Sequence, residues 1–574
     1  MKYIEELLEE ELKSTASVLG YTDANFAVTT CTLPIADYQT SGCMSLAKTY
    51  HKSPFDIASE IASNMKSIVA DKVEACRPGY INITISHEFL SKYLVEFMEN
   101  YENDTKSRAT HYKTIIDYGG ANVAKPLHVG HLRTANIGES LKRICRFVGC
   151  ETIGDVHLGD WGLQMGLVIT EIKHNHPDLV YFDDNFAGKY PKEPPITIDD
   201  LNTLYPTARE KSKDDENYLN EAKQATYYLQ QGKRGYVALW KQIVDVSKKD
   251  LKKNYDMLNV DFDLWLGESD AQSDSEKMVK FFVDNGYAKK SEGALIVDIK
   301  HDDDKKEMPP FMLVKSDGAI LYSTTDLATL YDRVTRQKAE RVIYVVDNRQ
   351  ELHFTQLFRV CNDYPVFEKK PKLDFAGFGT INGKDGKPYK TRDGKAMSLE
   401  ILINAVKESA RKHTDDTNIA DSVAISALKF ADLSILRTKD YICDPDKICA
   451  FDGKTGPYLL YSLTRAKSIL RKVLGENNLV VNDFDSSYCN KDLLLAFTQF
   501  EKAILEAYDT LSPNILCDYA YKIANIFNSN YSKTNISKEE NKAKQTALLY
   551  ETSCLVLLLE KTLNLLAIKT LDKM

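Results

Sequence analysis

Lysine, histidine and glycine crowd together in the segment Asp117-Tyr118-Gly119-Gly120-Ala121-Asn122-Val123-Ala124-Lys125-Pro126-Leu127-His128-Val129-Gly130-His131. An ammonium and two imidazole donors are groups suited to phosphate oxygens. The surrounding pattern says what must position them. Lys113 to Tyr118 has strand character, and from Leu127 to Phe147 apolar residues recur at helical spacing until Gly149 stops the helix. The histidines therefore fall at a helix start, three apart and on one face. There, exposed backbone N–H groups and the positive end of the helix dipole already favour an anion. Gly130 between them lets a bulky ligand approach the backbone. Two solvated histidines on a surface turn would be the bland alternative, but the coincidence of Lys125, Gly130 and a strand-to-helix junction favours a triphosphate site.

A chain of 574 residues, 43% hydrophobic, predicts three or four domains. The net charge of −9 argues against a protein that coats nucleic acid indiscriminately, and leaves room for a local basic face. Eleven cysteines lie scattered with no C-x-x-C pair, which predicts reduced thiols and no protein-bound zinc. The start, Met1-Lys2-Tyr3-Ile4-Glu5-Glu6, is too acidic for a secretory or transit peptide, and no apolar run approaches bilayer length, so a cytoplasmic protein with no membrane partner is expected.

Residues 1–106 read as a compact α+β domain containing the strand Tyr80-Ile81-Asn82-Ile83-Thr84-Ile85, with polar Asn100 to Lys106 as its linker. Residues 107–445 read as a nucleotide-binding α/β domain interrupted by a charged insertion over about 178–263. Residues 446–574 are helical, with apolar stripes such as Leu493, Leu494, Phe497, Phe500 and Ile504 that belong to a core. Gly453-Lys454-Thr455 mimics the end of a P-loop, but Ile448 stands where its first glycine would be.

Five ordered blocks carry a family resemblance. His128-Val129-Gly130-His131 resembles the HIGH signature of class I aminoacyl-tRNA synthetases, and its lead-in Ala121-Asn122-Val123-Ala124-Lys125-Pro126 resembles the arginyl-tRNA synthetase family. Gly159-Asp160-Trp161-Gly162, Tyr322-Ser323-Thr324-Thr325-Asp326-Leu327-Ala328, Asp347-Asn348-Arg349-Gln350 with His353-Phe354, and Phe451-Asp452-Gly453-Lys454-Thr455-Gly456-Pro457-Tyr458 are similar to further blocks of that family. The resemblance implies a Rossmann-type class I catalytic domain, an α+β N-terminal domain that touches the tRNA elbow, and an all-α anticodon-binding domain. It also implies arginine–tRNA ligase activity, through arginyl-adenylate, on L-arginine, ATP with its Mg²⁺, and tRNA(Arg), with no DNA partner. A monomer is expected.

Under that resemblance Lys125, His128, Gly130, His131, Gly379 and Lys390 hold ATP, with Lys125, His128, His131, Lys390 and Arg392 acting in catalysis. A substrate guanidinium calls for planar carboxylate partners. The implied arginine set is Asp117, Asn122, Tyr322, Asp326 and Gln350, although the family often has Glu where Asp117 stands. The second class signature, KMSKS, is degenerate here: residues 387–395 read Lys-Pro-Tyr-Lys-Thr-Arg-Asp-Gly-Lys, and Asp393 replaces its final lysine. A charged hairpin is the alternative for this stretch. For tRNA, Tyr458, Arg465, Tyr521 and Asn525 combine aromatic, basic and amide groups suited to unpaired bases. Two rivals remain open at this point: a non-catalytic RNA-binding relative, and a class I ligase for cysteine, which would need zinc ligands.

Overall fold

A computed structural model describes all residues except 23, 317, 390–396, 476–482 and 532–534. Its central sheet is parallel, in the order Lys372–Phe375, Arg341–Tyr344, Thr114–Asp117, Thr152–Asp155. Strands covered on both faces need continuous apolar character, and Ile115 and Ile116 are fully buried in the central one. Arg341 is admitted to the interior because Asp374 on the neighbouring strand meets its guanidinium at 2.6 Å.

The helix Gly130–Phe147 follows the central strand and ends where Gly149 turns left-handed at φ +96°, as the glycine predicts. It begins at Gly130 rather than Leu127, because the backbone of Leu127 to Val129 is committed to pairing with Met397 to Leu399. The helix is buried on nearly every side from Leu132 to Lys142, polar residues included. Its back meets the helix Thr417–Leu433, where Asp432 accepts from Arg133 and Asn136, both at 2.9 Å. It also meets Lys542–Leu565, whose Leu565 carbonyl accepts from Ser140 at 2.9 Å. The C-terminal helices thus share one core with the catalytic sheet.

Residues at the N-terminus form helices around a four-stranded antiparallel sheet, Val28–Thr30, Tyr38–Thr40, Tyr80–Ile85, Ala70–Cys76 in spatial order. The strand Tyr80–Ile85 matches the expectation. Asn100 to Lys106 does not: it forms the last turns of the helix His87–Arg108. Tyr101 and Thr105 are buried there, and the Tyr101 ring packs on Phe500 of the C-terminal unit, so tertiary contact overrides a polar local sequence. The 178–263 insertion contributes the helices Ile198–Asp214, Glu216–Gln230 and Arg234–Met257. Leu493, Leu494, Phe497, Phe500 and Ile504 are core, as the stripe predicts. The eleven cysteines are all unpaired and eight are buried. Among the described residues no helix is long and apolar enough to cross a membrane.

At Gly138 the helix presses on the residue that follows the central strand, and an added Cβ would stand 2.2 Å from the Tyr118 ring. Alanine there would gain about 1 kcal/mol of helix propensity against an overpacking cost of about 1–3 kcal/mol or more. Gly138→Ala is therefore expected to lower the urea midpoint of unfolding; an unchanged or raised midpoint would contradict this packing.

Candidate active site

Three residues with φ > 0, Gly119 at +92°, Gly120 at +56° and Ala124 at +60°, bend the chain out of the central strand. At Gly119 a Cβ would stand 2.8 Å from the Phe262 ring, so the close approach requires glycine. The emerging backbone is pinned on one side by Val123 N–H to the Gly159 carbonyl and Gly159 N–H to the Ala121 carbonyl, both 3.0 Å. On the other side Val129 N–H donates to the Met397 carbonyl at 3.1 Å and Leu399 N–H to the Leu127 carbonyl at 2.9 Å. Asn122, Lys125, His128 and His131 are thereby brought to one edge.

The two imidazoles lie against each other with ring centroids 3.9 Å apart. His128 precedes the helix rather than sitting on its first turn. The His128 N–H donates to His131 Nδ1 at 3.0 Å, and the Gly130 N–H to His128 Nδ1 at 3.1 Å. An Nδ1 that accepts is unprotonated, so each neutral ring carries its proton on Nε2; the His131 ring meets the Gly120 backbone with its other nitrogen. Burial is the main cause that lowers both pKa values, helped by Arg349 and Lys125 for His128 and by His128 for His131, which falls to about 3. Both rings are thus uncharged donors at neutral pH. The space left by the missing Gly130 side chain is occupied by His128, whose ring a Cβ would meet at 2.9 Å. No acidic side chain occupies the first turn of the helix, which keeps that end open to anions.

Lys125 rests over the Tyr205 ring, 4.6 Å from its centroid. Lys390 and Arg392 lie outside the described residues. Tyr389 and Met397, the described residues that flank them, are joined by the Met397 N–H to Tyr389 carbonyl bond at 3.3 Å. Just before that stretch a tight turn is closed by Gly383 N–H donating to the Lys387 carbonyl at 2.8 Å. Gly379 is pressed against Lys439 and Asp440, whose carboxylate a Cβ would meet at 2.5 Å.

Acids gather beside this edge. Asp326, on the helix Tyr322–Thr335, accepts from His353 Nε2 at 2.6 Å, and the Tyr322 ring, 61% exposed, lies 4.8 Å from His353 at the mouth. Gln350 ends the exposed 3-10 turn Asn348–Gln350. Asp117 has a partner that its sequence context does not show: Arg333 Nη2 bridges it and Asp155, each at 2.7 Å. Burial raises the Asp117 pKa, and the Arg333 charge opposes that rise. Glu268 was also hidden, since it reads as an ordinary first-turn acid of the helix Glu268–Asp284. Its carboxyl is pushed up by burial, with Asp326 and Asp160 adding to the rise and His157 opposing it. Arg349, held by Asp347 at 2.8 and 2.7 Å, adds a cation near His128.

In the helical unit, the Tyr458 and Tyr521 rings stand 5.7 Å apart and Tyr458 reaches Asn525 at 3.4 Å. Arg465 is one turn or more away, over the Tyr461 ring at 4.5 Å and bonded to Asn528 at 3.2 Å. It lines a cleft of about 820 Å³ with Tyr461, Arg471, Lys472, Tyr531 and Lys573. Phe527 is core, and Lys467 is committed to Glu560 and Asp572. The P-loop mimic is resolved as a helix start: Thr455 caps the helix Gly456–Leu474 and Lys454 pairs with Asp518.

Three family descriptions match successive segments of the chain. The description "tRNA synthetases class I (R), catalytic domain" matches residues 94–444, "Arginyl tRNA synthetase N terminal domain" matches 2–85, and "DALR anticodon binding domain" matches 459–574. A protein of Agathobacter rectalis named arginine–tRNA ligase is 45% identical, with both chains covered in full. One of Alkaliphilus oremlandii with the same name is 43% identical over all of this chain and 98% of its own. The solved arginyl-tRNA synthetase of Plasmodium falciparum shares the fold over the whole of both chains, with a TM-score of 0.79 at 23% identity. With the catalytic match spanning more than half the chain and full-length relatives above 40% identity, the protein belongs to the arginyl-tRNA synthetases of class I.

Proposed function

We propose that the chain activates L-arginine with ATP and transfers it to the 3′ end of tRNA(Arg), as a monomer in the cytoplasm. The observation that carries this reading is the neutral histidine pair at the start of the helix that follows the central strand, with the carboxyls of Asp117, Asp326 and Glu268 gathered beside it. Asp326 and Asp117 would face the substrate guanidinium, with Tyr322 and Gln350 at the mouth and Asn122 toward the α-amino and carboxylate groups. The arginine carboxylate then attacks the α-phosphorus, pyrophosphate leaves, and a terminal ribose hydroxyl of the tRNA takes the arginyl group while AMP departs.

Such phosphoryl chemistry is catalysed mostly by positioning and by stabilising charge on phosphate oxygens. His128 and His131 are suited to this as donors already aimed, and Lys125 supplies a full charge. Lys390 and Arg392 are proposed to meet the leaving pyrophosphate, and Gly130 and Gly379 to border the nucleotide. Mg²⁺ would arrive on the triphosphate and neutralise phosphate charge; among the described residues no group of three His, Cys, Asp or Glu is gathered for a cation. Tyr458, Tyr521, Asn525 and Arg465 are proposed to contact tRNA bases, the aromatic faces by stacking.

The deciding experiment is ATP–pyrophosphate exchange with each amino acid in turn, with and without total tRNA. Exchange with arginine alone when tRNA is present is the expected result; silence under every condition would overturn the proposal. Lys125→Ala or His128→Ala is expected to slow exchange by about ten- to a thousandfold, the scale of one lost preorganised donor, and parental rates would remove the residue concerned. Because the C-terminal helices share the catalytic core, a point change tests tRNA binding better than truncation. Arg465→Ala should raise the KM for tRNA by about tenfold and leave the KM for arginine alone, whereas equal KM values for tRNA would dismiss this contact.

The histidines also give a pH signature. Unfolding returns His131 to its ordinary pKa of 6.5 from about 3, so the unfolded chain takes up the proton first. Stability from this group is whole above pH 6.5 and is lost as pH falls from 6.5 towards 3. Between pH 6.5 and 5 the melting temperature of His131→Asn should therefore fall less steeply than that of the parent. Parallel profiles would argue against a neutral buried His131.

A further inference from the structure

The insertion over 178–263 lies in sequence between the Gly159-Asp160-Trp161-Gly162 block and the sheet's later strands, yet its helices reach back to the phosphate edge. The helix Arg234–Met257 meets two loops of the site at three points with one face. Trp240 Nε1 donates to the Asp160 carbonyl at 2.8 Å, Ser247 Oγ accepts from Ala124 N–H at 3.0 Å, and the Tyr255 hydroxyl donates to the Gly119 carbonyl at 3.3 Å. Those positions are seven and eight residues apart, close to whole helical turns. Ser247 therefore holds the residue with φ +60° that immediately precedes Lys125.

The first helix of the insertion, Ile198–Asp214, completes the clamp by placing the Tyr205 ring under the Lys125 ammonium at 4.6 Å. Tyr205 packs on the small cluster of Leu167, Ala208, Tyr218 and Ala222. Its helix is tied to Leu163–Asn175 of the catalytic domain, where the Glu171 carboxylate meets Lys211 at 2.7 Å and the Tyr218 hydroxyl at 2.6 Å. The ring is thus carried on a fixed scaffold.

A ring face attracts an ammonium without neutralising it, as a carboxylate would, and leaves its N–H donors available. We propose that the insertion serves as a positioning element for adenylate formation, and that Tyr205 is a positioning residue which aims the Lys125 ammonium at the nucleotide phosphates while preserving its charge. This inference rests on the phosphate role proposed for Lys125. It assigns no contact between Tyr205 and substrate; the ring acts through the lysine.

The test compares Tyr205→Leu, Tyr205→Phe, Lys125→Ala and the double variant Lys125→Ala/Tyr205→Leu in arginine-dependent ATP–pyrophosphate exchange with total tRNA present. Tyr205→Leu is expected to lower kcat by about three- to tenfold, the factor of a modest cation–ring contact, with the KM for arginine unchanged. Tyr205→Phe, which keeps the ring face, should retain the parental kcat. In the Lys125→Ala background, Tyr205→Leu should cost nothing more. Should Tyr205→Leu melt below the assay temperature, Tyr205→Met keeps the bulk and carries the same expectation. Parental kcat in Tyr205→Leu, equal losses in Leu and Phe, or an undiminished loss in the absence of Lys125 would each overturn the inference. Parental exchange in Lys125→Ala is a different result: it would remove the phosphate role of the lysine, and the inference with it.

Discussion

The backbone from Ala121 to Val129 is neither helix nor part of the central sheet, yet it runs between buried surfaces, and its N–H and carbonyl groups must still find partners. It finds them in Gly159 on one side and in Met397 and Leu399 on the other. That requirement couples three distant parts of the chain. The histidine segment cannot take its place unless the Gly159 turn and the start of the helix Leu399–Ala410 are in theirs. The backbone course of Lys125 and His128 follows from these bonds, and the side chains of Ser247 and Tyr205 add to them at Ala124 and Lys125.

Electrostatically the site divides into two regions. At the start of the helix the histidines are buried enough to be neutral, so they add nothing to the repulsion among Lys125, Arg349 and their neighbours. Beside it the carboxyls of Asp117, Glu268 and Asp326 lie close enough to influence one another or to share partners. Burial raises the first two, which stores a preference for a cation that can supply the missing counter-charge.

Much of this was legible in the chain because it depends on local pattern. The strand-to-helix junction, the glycine that ends the helix, the strand Tyr80–Ile85 and the C-terminal apolar stripe all follow from short-range periodicity or backbone freedom. What escaped depends on contacts between residues far apart. Asn100 to Lys106 looks like a linker until Phe500 is seen against Tyr101. Ser247 and Tyr205 look like ordinary helix residues, since nothing near them in sequence marks the Ala124 amide or the Lys125 ammonium as a partner. Arg333 lies seven residues beyond Asp326 on a helix, with no local sign that it turns inward to Asp117 and Asp155.

Arg333 is also a guanidinium fixed among the carboxyls proposed to take one. It sets a standing charge tally: one resident cation against Asp117 and Asp155, with Asp326 bonded to the His353 imidazole and Glu268 buried nearby. An incoming side chain is then judged against what remains after the resident has been counted. A neutral amino acid would leave that remainder unanswered, and a compact ammonium would answer its charge without matching the planar, forked geometry of paired carboxylates. Discrimination of this kind comes from how uncomfortable the empty pocket is left by the wrong guest.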